Sequence, residues 1–141
     1  MPNWCTGEMI VTGNYRDLRR FLRRAFPDLV KNKTIDLPGN NIRMKDFYEI
    51  YYESSYRCFL SNIDEVIIKK PKDFEQEFSI FFDFQQAWGV NTEDFIKDSN
   101  NYNLNIVINA EEPGMGFTRY VEIDNGDILT DETEDMEEET L

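Results

Sequence analysis

Side chains able to exchange protons or hold a metal are abundant in this sequence but one-sided. Twenty-eight Asp and Glu residues stand against 15 Lys and Arg, histidine is absent and cysteine occurs twice. Carboxylates come in close pairs: Glu111 with Glu112, Glu122 with Asp124, Asp131 with Glu132. Glycosidic or metal-assisted phosphodiester hydrolysis needs two such groups converging in a cleft. In a chain with 28 acids, neighbouring pairs arise by chance and do not by themselves mark an active site. The missing histidine removes Ser–His and Cys–His nucleophilic pairs and the usual general base near neutral pH. Two cysteines fall short of the four Cys/His ligands that close a structural zinc site. No phosphate loop and no dinucleotide fingerprint is present. PGMG (Pro113–Gly116) is a loop device between strands, and DNGDILTDETED (124–135) lacks calcium-loop spacing. The residues therefore lead to an expectation of no enzyme activity, no cofactor and no metal.

The charge itself is the stronger signal. The net charge of −13 is unevenly placed, with seven bases and three acids from Met1 to Thr34 but eight bases and 25 acids from Ile35 to Leu141. Such a chain repels nucleic acid at long range and attracts basic surfaces, although high charge also serves solubility alone. Acids on ordered strands lose less entropy on docking than acids on a loose tail. That singles out Glu111, Glu112, Glu122, Asp124 and Asp127 as candidate partner-binding residues, ahead of Asp131 to Glu139. The alternative is a small binding module for an unknown ligand or an acidic partner, using Arg16, Arg20 and Arg23 of the arginine-rich segment near the start. A solvated helix face that pairs with the protein's own acids would explain the same arginines.

These charges need elements to position them. EMIVTG (Glu8–Gly13) reads as a strand, and NYRDLRRFLRRAFP (Asn14–Pro27) as a helix with Asn14 as N-cap and Pro27 as the stop. At about 100° per residue, Leu18, Phe21, Leu22 and Ala25 share one arc and Arg16, Arg19, Arg20, Arg23 and Arg24 the other. Residues 28–71 are irregular or carry inserted strands; the aromatic-rich DFYEIYYESSYRCFL and the short DEVIIKK suit half-buried strands. In FSIFFDF, Phe78, Ile80, Phe82 and Phe84 alternate with Ser79, Phe81 and Asp83, which is strand periodicity with one buried face. GVNTEDFIKDSN predicts a helix capped at Asn91 or Thr92. LNIVINA, GFTRYVEID and DILT predict three further strands, the last two joined by an Asn125–Gly126 hairpin turn. DETEDMEEETL (131–141) has seven acids and no base and predicts a disordered tail. The pattern is α+β: an antiparallel sheet with two helices on one face, of ferredoxin-like type, in a single domain over 1–130. No apolar run approaches the roughly 18–20 residues of a membrane span. Cys5 and Cys58 suit two free thiols in a reducing cytosol better than one disulfide.

Three short motifs stand in order along the chain: the opening MPNWC before a strand ending in Gly, FFDFQQAWG with its Ala87–Trp88 pair, and EEPGMGF from Glu111 to Phe117. Together they resemble the YubB-like ferredoxin-like family, small proteins of phages, plasmids and other mobile elements. The resemblance covers about the first 25 and last 60 residues. It departs after Ala87–Trp88, where the family often has prolines and this chain has Gly-Val-Asn-Thr. It implies a ferredoxin-like core and a cytoplasmic setting in a bacterial host, and it supplies no catalytic residues. It also implies that Trp4 and Cys5 lead into a central first strand and pack its end, with Trp88 covering the same core from the far side; an aromatic ligand platform is the alternative. Mobile elements carry small acidic proteins that block host defence nucleases. Acidity and resemblance together raise the expectation of a non-enzymatic inhibitor of a host nucleic-acid-binding defence protein. An anti-CRISPR protein is one form, since a CRISPR effector nuclease of the Cas9 type has a strongly basic guide and target channel. Direct nucleic-acid binding is not expected, because the charge has the wrong sign and the RNP1 signature is absent.

Overall fold

The first strand is the one to which most of the sheet is attached. In the computed structural model, which describes residues 2–39 and 41–136, β1 (Trp4–Asn14) is hydrogen-bonded along both edges. Asn14 ends it and caps α1 (Tyr15–Ala25), its side chain accepting from the Asp17 backbone N–H at 2.8 Å. As the helical period requires, Leu18, Phe21, Leu22 and Ala25 are buried. Pro27 ends that helix and opens the short α2 (Pro27–Lys31), where a fixed φ and a missing N–H carry no penalty. Among the described residues the helix count is therefore three, not two, with α3 spanning Thr92–Tyr102. Asn91 takes the N-cap position of α3, but its side chain makes no capping bond.

Residues 28–71, read as irregular or carrying inserted strands, contain five short strands: β2 (Ile35–Asp36), β3 (Asn41–Met44), β4 (Phe47–Tyr51), β5 (Cys58–Asn62) and β6 (Val66–Lys69). β7 (Glu77–Ala87), β8 (Asn105–Glu112), β9 (Phe117–Asp124) and β10 (Asp127–Asp135) complete the chain order. A seven-stranded sheet runs β10-β9-β8-β1-β7-β5-β4, every neighbouring pair antiparallel, and β2-β3-β6 form a separate three-stranded sheet. The chain leaves β1 through α1 and next joins the main sheet at β4, three strands away, before β5 fills the place between β4 and β7. It leaves β7 through α3 and returns at β8, with β1 between.

Alternation sends Cys5, Met9 and Val11 of β1, Ile80, Phe82 and Phe84 of β7, and Ile106 and Ile108 of β8 toward the helices. Aromatic rings fill the space between. Phe26 lies 5.7 Å from Phe82, Phe84 6.0 Å from Phe95, and Tyr52 stacks on Phe95 at 5.8 Å. Arg19 leaves the solvent arc expected for it. Its guanidinium donates to the carbonyls of Leu37, Pro38 and Asn41 and so ties α1 to the β2–β3 connection. Among the described residues, no helix is long and apolar enough to cross a membrane.

Two expectations need correction. The acidic segment after Thr130 is not loose over its described part, because Asp131–Asp135 continue β10 and pair with Val121–Phe117. The hairpin at Asn125–Gly126 (φ 46° and 85°) sets the register, and backbone pairing then extends whatever the side-chain charge. Residues 137–141 of that segment lie outside the described residues. Trp88 does not cover the core: it is 61% exposed with φ +70°, whereas Trp4 is half-buried, edge-on to Phe59 at 6.1 Å.

Cys5 and Cys58 are both buried and free, and each pairs with Gln86 from opposite sides of β7. They are thus two strand spacings apart, roughly 9–10 Å, beyond the ~7 Å Cα limit for a disulfide. Burial, with the Glu112 carboxylate adding to it, pushes the Cys5 thiol up to about 11; burial raises Cys58 further still. A raised thiol pKa favours the fold below the unfolded value and is lost as pH climbs through the folded one. Stability should therefore decline from about pH 9 to 11, with Cys5 contributing about 2–3 kcal/mol of that loss. Urea titrations across this range, run with Cys5→Ala as the comparison, check this. Gly7 offers a second test. A Cβ there would sit 2.0 Å from the Asn109 carbonyl oxygen. Gly7→Ala should destabilise by at least about 2 kcal/mol in chemical denaturation.

Candidate interaction surface

The face of the main sheet turned away from the helices carries the other half of each alternation. Register fixes its composition. Thr6 faces Gln85 and Glu111, Glu8 faces Asp83 and Asn109, and Ile10 faces Phe81 and Val107. Continuing outward, Tyr120 pairs with Glu132, Thr118 with Glu134, and Asp124 with Asp127. Glu8, Glu77, Asp83, Glu111, Glu122, Asp124, Asp127, Glu132 and Glu134 therefore share this face. The seven strands contain a single base, Arg119, and it points to the helix side. There it forms a two-pronged pair with Asp131 at 2.7 and 3.0 Å and donates to Thr92 Oγ1 at 3.0 Å. Glu8 and Asp83 are directly opposite each other, as are Asp124 and Asp127, and like charges in that relation cost a fraction of a kcal/mol each.

Four of the five acids singled out from the sequence are on this face. Glu111 is exposed, Glu122 and Asp124 accept from Asn105 Nδ2 at 3.0 and 3.4 Å, and Asp127 opens β10. Glu112 is not a docking residue. It falls on the opposite parity, is 1% exposed, and accepts from the Gly114 N–H at 3.0 Å and from the Met115 N–H. Its charge closes the 113–116 turn. Sequence reading missed Glu8, Glu77 and Asp83 as members. The alternation in β7 marked Asp83 as outward, but nothing local placed Glu8 beside it.

The arginines divide differently. Arg16 and Arg20 flank the buried Asp17 at 3.7 and 3.4 Å, and Arg20 also lies 5.5 Å over the Tyr102 ring. Arg23 is exposed on the same helix. Two of the three alternative partner-binding residues thus have internal partners, the arrangement expected of a helix that neutralises its own acids.

At the β4–β5 end the open face is indented. A groove of about 670 Å³ runs over Thr6, Phe59, Ser61, Asp83 and Gln85, with Asp46, Tyr48 and Glu49 at its border. A second, of about 260 Å³, borders Glu8, Asp64 and Phe81 and shares Asp83 and Ile63 with the first. Neither is lined by Lys or Arg. Behind the larger groove a buried polar network holds the β4–β5 hairpin to α3. Tyr52 donates to Asp98, Ser55 Oγ donates to Asp94 at 3.0 Å, and Gln86 Nε2 donates to Ser55 Oγ at 2.7 Å and the Tyr56 carbonyl at 3.0 Å. Gln86 Oε1 accepts from the Asn91 N–H at 2.9 Å. Burial, reinforced by the Asp98 charge, raises the Tyr52 hydroxyl well above its ordinary value. Among the described residues, no three Cys, Asp or Glu side chains are grouped to hold a metal ion.

No family model, curated protein or solved structure matches the chain.

The polar network generates a local test. Tyr52→Phe leaves the buried Asp98 carboxylate without its donor and should cost about 1–3 kcal/mol. Hydrogen exchange should quicken in the β4–β5 hairpin and in α3, while the β8–β10 amides keep their protection.

Proposed function

We propose that this chain is a non-enzymatic binding protein whose open sheet face occupies a basic, nucleic-acid-binding surface on a partner protein and so inhibits it. One observation carries the reading: nine carboxylates and no base among the strand residues of that face, two of the carboxylate pairs directly opposed at a cost to the fold. A face built that way is complementary to the Lys and Arg that neutralise phosphates, and competes with nucleic acid for them. The placement of β8, β1, β7 and β5 side by side, with α1 following β1 and α3 following β7, supports a ferredoxin-like reading of the core. It supports a place beside the YubB-like proteins of phages and plasmids, to which the three motifs point. In that setting the partner is a host defence protein in the bacterial cytoplasm, and a CRISPR effector nuclease is the leading candidate because its guide and target channel is basic. The arginine face of α1 is the less favoured surface, since Arg16 and Arg20 already meet Asp17.

Gel shifts of a panel of nucleic-acid enzymes, CRISPR effectors included, test this. At about 150 mM salt the protein should release DNA or RNA from at least one, and at about 500 mM the effect should fade, because exposed charge pairing is screened. The triple change Glu8→Lys, Asp83→Lys, Glu111→Lys should abolish release, whereas Arg16→Glu, Arg20→Glu, Arg23→Glu should leave it intact. The opposite pattern would move the site to α1, and no release from any enzyme would sink the reading.

A further inference from the structure

The acidic face is not uniform, and the groove over Phe59 differs chemically from the rest. The 670 Å³ groove has a partly apolar lining that includes Tyr48, Phe59 and Ile63, with Asp46, Glu49 and Asp83 among it and no Lys or Arg. Tyr51 and Trp4 pack against the Phe59 ring at 5.7 and 6.1 Å, so that ring is held in place from two sides. At the groove border Tyr48 is 78% exposed. The shallower hollow beside Glu111, of about 300 Å³, has no aromatic residue in it.

The border is shaped by a departure from regular pairing. Between Phe47 and Ile50 the register of β4 against β5 shifts, and Glu49 adopts φ +45°. A non-glycine residue there is uncommon and strained. The Glu49 N–H is fixed by Ser61 Oγ at 2.9 Å. Irregularities of this kind re-aim side chains and are conserved features rather than faults of a strand. Here a carboxylate is kept at the groove where glycine would suit the backbone better.

Resting on the acidic-face reading, we propose that this groove is the subsite for a basic segment of the partner polypeptide, one Arg or Lys side chain lying along Phe59 with its charged end among Asp46, Glu49 and Asp83. Charge complementarity selects this occupant. A long cationic side chain has an apolar stem for the aromatic floor and a charged end for the rim, and its charge is further favoured over an aromatic face. A neutral apolar segment would bury three carboxylates without partners, and nucleic acid would be repelled by them.

A fluorescein-labelled nona-arginine peptide titrated against the full chain by anisotropy, at about 50 mM salt, provides the probe, with amide shift mapping on the same complex. Perturbations should concentrate on Phe59, Ser61, Asp83 and Gln85. Glu49→Gly and Asp83→Asn should each weaken binding about fivefold or more, and Glu122→Gln and Asp124→Asn, which remove charge from the same face, less than about twofold. Glu49→Gly should keep or raise the melting temperature, because glycine accepts the left-handed conformation, so weakened binding there cannot be laid to misfolding. Equal weakening by all four changes, shifts spread over β8–β10, or no binding would overturn the subsite. Release of nucleic acid that survives Glu49→Gly and Asp83→Asn would overturn it while leaving the inhibitory face standing. Peptide bound in the groove by a protein that releases no nucleic acid from any enzyme would do the reverse.

Discussion

Double-sided pairing of β1 is the constraint from which the rest of this structure follows. A strand bonded along both edges has no freedom to slip, because a one-residue shift would turn Cys5, Met9 and Val11 out of the core on both sides at once. The approach of β8 at Gly7 leaves no room for a Cβ, so the fit is steric as well as hydrophobic. With β1 fixed, β7 and β8 are fixed, and α1 and α3 must lie over the same side to cover Phe82, Phe84, Ile106 and Ile108. The other side is then left without a helical cover.

What that open side carries is a matter of sign. A surface of mixed charge would serve solubility as well. Concentrating Glu8, Asp83, Glu111, Glu122 and Asp124 on one face, with Arg119 turned away to bind Asp131, sets up repulsion that folding must offset. The positive ends of the chain are handled in the opposite way. On α1, Arg16 and Arg20 sit beside Asp17 and the Tyr102 ring, and Arg19 donates to three backbone carbonyls.

The buried polar groups show how the hairpin at the sheet's far edge is held. Gln86, next to the last residue of β7, reaches Ser55, the Tyr56 carbonyl and the Asn91 N–H. That one amide connects the β4–β5 connection to the start of α3. Tyr52 and Asp98 make a second tie between the same parts. Cys5 and Cys58 flank Gln86 as small, apolar neighbours, and their raised pKa values reflect that packing rather than a reactive site.

Local chemistry in the sequence was sufficient for several elements. Asn14 as a cap, the apolar arc of α1, the alternation of Phe78 to Phe84 and the Asn125–Gly126 turn all act within a few residues, and each appears in the structure. The middle of the chain was illegible because its strands are short and divided between two sheets. Partnership was also out of reach. Glu8 and Asp83 are 75 positions apart, and only the pairing of β1 with β7 brings them face to face. Glu111 and Glu112 are adjacent and chemically alike, yet one lies on the open face and the other is buried closing a turn, because side-chain direction reverses at every residue of a strand. Composition and period settled that the protein is acidic and α+β; long-range strand pairing, which no local spacing encodes, decided which acids share a face and where that face is grooved.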